Sequence, residues 1–178
     1  MNILVTGGCG FIGSNFIMHM IKKYPDYKIV NLDKLTYAGN QENLRNIEKN
    51  KNYTFIKGDI CNEKIVNKAL KNIDLIVHFA AESHVDKSII SREDFIKTNI
   101  NGTYNLLNCA MKNNIRFHHI STDEVFGSLE INSQKKFDEN TAYEPNSIYS
   151  ASKASSDHLV RAFHRTYGLP VTEKIELK

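Results

Sequence analysis

Short apolar segments alternate along the chain with longer segments in which apolar residues recur at helical spacing. Strands are predicted at residues 28–33, 53–56, 74–79 and 115–121, after a first apolar run at Ile3, Leu4 and Val5. Val171 and Thr172 are predicted to begin a sixth strand. Repeated alternation of strands and helices is typical of α/β proteins with a parallel sheet.

Helices are predicted in the intervening segments, at residues 16–21, about 41–48, 65–70, 91–111 and 147–167. Ser91 and Asp94 have the spacing of a capping box, which favours a helix start there. The predicted fold is a Rossmann-type doubly wound parallel sheet with helices on both faces. In such sheets ligands bind outside the carboxyl ends of the strands.

Three glycines with a regular spacing follow the first strand. Gly7, Gly10 and Gly13 connect the apolar run to the first predicted helix, and Asp33 ends the next strand twenty positions after Gly13. This context predicts a dinucleotide site, with bare backbone N–H groups near a pyrophosphate at the helix N-terminus. A side chain at Gly7 or Gly10 is expected to obstruct that approach. The alternative for the glycines alone is a surface turn.

Asp33 indicates which dinucleotide is preferred. A carboxylate at this position accepts hydrogen bonds from an adenosine ribose and repels a 2′-phosphate, which favours NAD over NADP. Lys34 is expected to offset part of that repulsion. The alternative is a solvated acid at the end of a strand.

Tyr149 and Lys153 are four residues apart and therefore share one face of the last predicted helix. An ammonium beside a phenol favours the phenolate, so the tyrosine can take a proton from an alcohol. Taken alone, the pair is also compatible with an ordinary exposed helix surface.

Polar residues follow the fifth strand at Ser121, Thr122, Asp123 and Glu124. The hydroxyl groups are placed to bind a substrate oxygen. The two adjacent carboxyl groups could act as acid and base if their surroundings differ. The alternative is a pair of loop acids, with Asp123 capping a turn.

Composition excludes several other classes of protein. The chain has 178 residues, 41% of them apolar and 24% charged, and its net charge of +3 comes from scattered lysines rather than a nucleic-acid-binding stripe. No apolar run has membrane-span length, and we expect no signal peptide. Cys9, Cys61 and Cys109 are far apart, which favours a reducing cytoplasm. The histidines lack ligand spacing, so no metal site is predicted.

Together these motifs resemble the extended short-chain dehydrogenase/reductases, and within them the dTDP-glucose 4,6-dehydratase family. The matching motifs stand in the family's order over residues 1–172. They cover residues 6–14, 32–40, 58–60, 80–86, 98–99, 121–127 and 149–162.

The resemblance implies bound NAD, with coenzyme contacts spread over several loops and over the last helix. The implied coenzyme-binding residues are Gly7, Gly10, Phe11, Ile12, Gly13, Asp33, Lys34, Leu35, Thr36, Asp59, Ile60, Phe79, Ala80, Ala81, Glu82, Ser83, Thr98, Tyr149 and Lys153.

The resemblance also implies a lyase that removes water from dTDP-glucose. Tyr149 would deprotonate the 4-hydroxyl, supported by Lys153 and Thr122. Glu124 would remove the C5 proton, and Asp123 would protonate the departing 6-hydroxyl. Ser83 and Thr122 would contact the sugar. The alternatives are another nucleotide-sugar epimerase or dehydratase, or a truncated NAD-binding fragment without activity.

The expected domain organisation is an NAD-binding Rossmann domain at residues 1–172, followed by a short divergent tail at 173–178. The family continues with a smaller region that binds the nucleotide of the substrate, and we expect that region to be absent. The resemblance further implies a homodimer of the full-length protein, formed through the helices at about 91–111 and 147–167.

Overall fold

The computed structural model of the chain describes residues 1–84, 91–130, 134 and 136–176. Its centre is a six-stranded sheet in the order β3-β2-β1-β4-β5-β6, in which every neighbouring pair is parallel. The strands are β1 Asn2–Thr6, β2 Lys28–Asp33, β3 Tyr53–Lys57, β4 Leu75–His78, β5 Arg116–Thr122 and β6 Val171–Glu176. The Rossmann-type fold is therefore confirmed. Because the strand order reverses between β1 and β4, a crevice opens at their carboxyl ends.

Helices cover both faces of this sheet. They are α1 Phe11–Lys23, α2 Glu63–Ala69, α3 Arg92–Phe95, α4 Thr103–Lys112 and α5 Ile148–Tyr167. A π-helical segment, Ile96–Gly102, joins α3 to α4, and 3₁₀ turns occupy Gln41–Ile47 and Asp123–Phe126.

Alternating residues of the central strand pack into two separate cores. Ile3 and Val5 contact Ile17 of α1 on one face, whereas Leu4 contacts the cluster formed with Leu106 and Val160 on the other. This is the period of two that a strand imposes on its side chains. The continuous apolar run at the start of the chain is explained by burial on both faces.

Two predictions about the helices differ from the structure. The segment 91–111 is interrupted by the π-helical turns, and the segment 41–48 is a 3₁₀ helix. The capping box at Ser91 was wrong, because the helix begins at Arg92 but the Ser91 side chain makes no capping bond. A capping box occurs instead at the start of α5, where the Ser147 and Ser150 side chains each accept the other's backbone N–H.

The sixth strand begins at Val171 as predicted and continues through Glu176. It pairs with β5 from Phe117 to Thr122, so most of the segment 173–178 belongs to the edge of the sheet. Leu177 and Lys178 lie outside the described residues. Among the described helices, none combines the length and the apolar character that crossing a membrane requires.

Candidate functional site

A cleft of about 440 Å³ opens at the carboxyl edge of the sheet, where the predicted site residues collect. Every predicted coenzyme-binding residue except Leu35 lines this cleft. Ala38, Gly39, His84, Ile120 and Ser121 also line it. Val85 and Asp86, which belong to one of the quoted motifs, lie outside the described residues.

The N-terminus of α1 faces the cleft without a cap. Gly10 is the N-cap residue, it provides no side-chain bond, and the first turn contains no acidic residue. The leading N–H groups of a helix have no partner within the helix, and together with the helix dipole they attract anions. Phe11 and Ile12, at this end of α1, are exposed. This end of the cleft therefore suits a phosphate group.

The three glycines of the turn differ in what an added side chain would contact. Gly7 has φ +70°, and a Cβ there would lie 2.6 Å from the backbone nitrogen of Ala80. At Gly13 a Cβ would collide with the carbonyl oxygen of Gly7 and lie 2.9 Å from the Cα of Gly8. A Cβ at Gly10 would meet only the Gly7 carbonyl oxygen, at 3.3 Å. At Gly7 the chain itself therefore excludes a side chain, in addition to the expected obstruction of a ligand.

Asp33 lies at the end of β2 with its carboxylate held by two backbone donors. The N–H of Cys9 bonds Oδ2 at 2.8 Å, and the N–H of Leu35 bonds Oδ1 at 2.8 Å. Leu35, outside the lining, makes this bond with φ +57°. The carboxylate is thus oriented on the cleft wall and retains lone pairs for a ligand.

Lys34 pairs with a carboxylate other than Asp33. Its ammonium pairs with Asp59 at 2.9 Å. Burial by itself raises the pKa of Asp59, but the backbone N–H of Cys61 and the Lys34 ammonium outweigh it and hold that pKa below its usual value. The hydrogen bond to Asp59 in turn raises the pKa of Lys34. The charge of Lys34 is therefore balanced by Asp59, and the charge of Asp33 is not offset by it.

Tyr149 and Lys153 lie on the cleft-facing side of α5, and both are buried. The Lys153 ammonium donates to the backbone carbonyl of Ile120 at 2.7 Å. The ring of Tyr149 packs edge-on against Phe95, with centroids 6.4 Å apart. The base of α5 and the end of β5 thus hold the two side chains in fixed positions.

Thr122, Asp123 and Glu124 follow directly after Ser121 but do not themselves line the cleft. The Thr122 hydroxyl caps the 3₁₀ turn, accepting the Glu124 N–H at 3.3 Å and lying 3.4 Å from Oδ1 of Asp123. The Thr122 side chain therefore caps this turn. Both acids are half-buried.

Asn99 was quoted within a motif but not assigned to the site. It is buried in the π-helical segment, where its side chain bonds both the N–H and the carbonyl of Glu82, at 2.8 and 2.9 Å. It also donates to Ser152 of α5 at 2.8 Å. Asn99 therefore ties the loop after β4 to the helix that carries Tyr149. The signal available in the sequence was a polar residue on the buried side of a helix.

A second polar cluster lies behind the cleft. His119, Asp157 and Glu173 place one nitrogen and two carboxylate oxygens within 4.8 Å of one another. The Asp157 oxygens already accept hydrogen bonds from His119, Ser121 and Tyr143. We interpret this cluster as a hydrogen-bond network, because protein donors occupy the oxygens that a metal ion would need.

Comparison with known proteins finds similar chains throughout this region. The dTDP-glucose 4,6-dehydratase of Haemophilus influenzae is 52% identical over 183 residues, covering 96% of this chain and 54% of its own length. That of Mycobacterium tuberculosis is 45% identical over 172 residues, covering 97% of this chain and 51% of its own length. The chain thus spans about half the length of the curated relatives it matches.

Solved structures agree with these relatives. The dTDP-glucose 4,6-dehydratase DesIV of Streptomyces venezuelae, with NAD and TYD bound, superimposes with a TM-score of 0.93 at 46% identity, covering 98% of this chain and 55% of its own. The NAD complex of UDP-glucose 4-epimerase from Thermus thermophilus gives a TM-score of 0.85 at 26% identity, covering 97% and 54%. Residues 4–177 match the family described as GDP-mannose 4,6 dehydratase. The chain belongs to the GDP-mannose 4,6 dehydratase family.

Proposed function

We propose that this chain forms the coenzyme-binding and catalytic half of a dTDP-glucose 4,6-dehydratase, a lyase that converts dTDP-glucose to dTDP-4-keto-6-deoxyglucose. The observation that carries the proposal is the single cleft lined at one end by the glycine turn and Asp33 and at the other by Tyr149 and Lys153. The similarity to relatives of that activity supports the choice of substrate.

The shape of the cleft fits NAD. Gly10 leaves the uncapped N-terminus of α1 open to a pyrophosphate, and Asp33 is positioned to accept hydrogen bonds from a ribose. Because Asp59 balances the charge of Lys34, a 2′-phosphate beside Asp33 would meet an uncompensated carboxylate. The Lys34–Asp59 pair therefore supports a preference for NAD over NADP.

NAD, when bound, accepts hydride from C4 of the sugar and returns it to C6, so no net oxidation occurs. Tyr149 takes the proton of the 4-hydroxyl, and the buried ammonium of Lys153 favours the resulting phenolate. The Thr122 hydroxyl, at the end of β5, is the proposed partner of the same sugar oxygen, and Ser83 contacts the sugar from the loop after β4.

Asp123 and Glu124 carry out the elimination in this scheme. A ketone at C4 acidifies the neighbouring C5–H, and Glu124 removes that proton and gives it back to C5 when hydride reaches C6. Asp123 donates its proton to the departing 6-hydroxyl, which leaves as water. Two neighbouring carboxyl groups with opposite tasks require different protonation states at the same pH. The supporting observation is that both acids follow directly after Ser121, which lines the cleft.

The homodimer of the full-length protein stays a prediction. Tyr104 of α4 and Tyr167 of α5 are 50% and 60% exposed, on the helices through which the dimer is predicted to form. Exposed aromatic residues on adjacent helices are consistent with such a contact.

Replacing Tyr149 by Phe should abolish formation of the 4-keto sugar while leaving NAD affinity within about threefold of the unchanged chain. Loss of a positioned base typically costs about 10²–10⁴-fold in rate. The measurement is the alkaline absorbance of the 4-keto-6-deoxy product, with calorimetry for NAD. An active Tyr149→Phe variant would contradict the assignment, and an epimerised product without that absorbance would contradict the proposed reaction.

Substituting Asp123→Asn together with Glu124→Gln should slow elimination more than the first oxidation. Single-turnover spectroscopy of the reduced coenzyme would then show NADH accumulating, because hydride leaves C4 but has no acceptor at C6. The matched control is Asp138→Asn with Glu139→Gln, which makes the same chemical change at exposed residues. Equal loss in both steps would refute the division of labour between the two acids.

A further inference from the structure

The edge strand brings a third acidic residue to the network behind the cleft. In the β5–β6 register, Glu173 is the partner of His119, and Asp157 of α5 packs over both strands. His119 and Asp157 are buried, whereas Glu173, on the outermost strand, remains exposed to solvent. Two carboxyl groups from different elements are thus held next to each other at the edge of the domain.

Asp157 is held in its ionised form by its donors. Its Oδ1 lies 3.0 Å from Nε2 of His119, and its Oδ2 accepts from Ser121 at 2.6 Å and from Tyr143 at 3.0 Å. Burial by itself raises the pKa of Asp157, but His119 and Ser121 outweigh it and lower that pKa. Since Nε2 of His119 donates here, its Nδ1 is a buried acceptor without a partner among the described residues.

Glu173 faces several charged or titratable groups besides Asp157. Lys153 and Arg161 of α5 favour its ionised form, while His119 lies beside it on β5 and Tyr143 approaches from the loop before α5. Glu173 as a whole residue is exposed, but its carboxyl group is partly withdrawn from water beside Asp157. This partial burial, followed by the charge and hydrogen bond of Asp157, raises the pKa of Glu173 to about 8. The same two acids, after burial, raise the pKa of Tyr143. The carboxyl groups together favour one shared proton, as expected when like charges meet.

We propose that Glu173 and Asp157 share a single proton that joins β6 to α5, and that losing this proton loosens the edge strand, forming a pH-sensitive latch. When the proton is present, Glu173 donates to Asp157 and the two elements are bonded. When it is lost, two carboxylates repel each other across the same contact.

The latch is connected to the wall of the cleft. Ser121, which bonds Asp157, lines the cleft, and so does Ile120, whose carbonyl accepts the Lys153 ammonium. Asp157 therefore connects Glu173 to Ser121, at the end of β5 that lines the cleft. The inference concerns the folded chain and stands whether or not the proposed reaction is correct.

The direction of the pH effect follows from proton linkage. A carboxyl group that binds its proton more tightly in the folded than in the unfolded chain destabilises the fold progressively as pH rises between the two pKa values. For Glu173 this window runs from about 4.5 to about 8, and above it the effect is constant. One proton held only by the folded chain changes the unfolding constant by up to tenfold per pH unit inside this window, and solvent at the exposed edge narrows the window.

The test compares Glu173→Gln with the unchanged chain by urea unfolding between about pH 5 and pH 9. Gln keeps the shape and hydrogen-bonding capacity of the protonated acid but cannot ionise. The ratio of the unfolding constants, unchanged chain to variant, should rise by several-fold to tenfold per pH unit up to about pH 8 and then level off. Glu139→Gln, which removes an exposed acid, should show no such trend.

A direct measurement is the titration of the Glu173 carboxyl carbon by ¹³C NMR in the folded chain. Its midpoint should lie well above that of Glu139 and should fall towards the ordinary value in Asp157→Asn. Parallel stability curves for Glu173→Gln and the unchanged chain, or a Glu173 midpoint near the ordinary value, would overturn the latch. Neither measurement depends on NAD or on a sugar.

Discussion

The N–H groups of Cys9 and Leu35 fix the direction of the Asp33 carboxylate before any ligand binds. Such preorganisation strengthens recognition because little ordering remains to be done on binding. The left-handed backbone at Leu35 is the local cost of one of these bonds. Asp33 therefore stabilises the conformation of the neighbouring turns through these two bonds. It is also the residue proposed to determine the coenzyme preference.

Replacing Asp33 by Asn should raise the dissociation constant for NAD about tenfold, equivalent to about 1.4 kcal/mol, because a neutral amide is a weaker acceptor for ribose hydroxyls. The preference for NAD over NADP should narrow at the same time, since the repelling charge is gone. Calorimetry with both coenzymes measures both effects. The matched control is Asp26→Asn at an exposed turn. An unchanged NAD-to-NADP ratio would contradict this role.

At the scale of elements, different glycines of the turn between β1 and α1 serve packing of the chain and binding of a ligand. Gly7 and Gly13 are required by close contacts within the chain, whereas a Cβ at Gly10 would meet only the Gly7 carbonyl oxygen, at 3.3 Å, a tight contact that a small shift can relieve. The spacing of the glycines predicted the turn. Because all three positions are glycine, the sequence could not tell which of them is needed for packing. The backbone atoms near each position show this difference.

Gly13→Ala should therefore mainly reduce the stability of the fold, whereas Gly10→Ala should mainly reduce the affinity for NAD. Gly13→Ala should lower the free energy of unfolding by about 1–3 kcal/mol because the added methyl overpacks the contact with Gly7 and Gly8. Gly10→Ala should cost less stability, about 0.5–1 kcal/mol, because alanine is a poorer N-cap residue than glycine, yet weaken NAD binding about tenfold. Urea unfolding and calorimetry on both variants test this. Equal stability losses would show that the assignment of the glycines is wrong.

At the scale of the whole molecule, the sheet buries histidines in neutral form. Burial, reinforced by the Lys153 ammonium, lowers the pKa of His119 to about 4, and burial likewise lowers the pKa of His78 far below its usual value. A histidine that binds its proton less tightly when folded contributes stability that is lost as pH falls from about 6.5 to about 4. Acid should therefore destabilise the fold through the centre of the sheet.

On lowering pH from about 7 to about 4.5, the unchanged chain should lose about 2–3 kcal/mol more unfolding free energy than His119→Gln. Gln can still donate to Asp157 but cannot gain a charge. His19→Gln, at an exposed position of α1, is the control and should retain the full pH dependence. Identical losses in His119→Gln and the unchanged chain would show that His119 is not the group responsible.

The sequence by itself determined the order of strands and helices and the glycine turn, together with nearly all residues that line the cleft. It could do so because burial on two faces, helical spacing and turn chemistry are written in neighbouring residues. The interruption of the 91–111 helix was not predictable in this way, since apolar residues three and four positions apart indicate a helix but do not distinguish an α-helical from a π-helical turn. Asn99 acquires its role only where that interruption meets the loop after β4.

Only the tertiary structure decided which charges meet. Asp59 neutralises Lys34 from the neighbouring strand, and Glu173 meets Asp157 because β6 pairs with β5 in one particular register. These partners are separated by many residues, and a shift of one residue in β6 would turn Glu173 to the other face. Local patterns therefore specify the scaffold and its ligand-binding edge, whereas the electrostatics of the site depend on strand order and register.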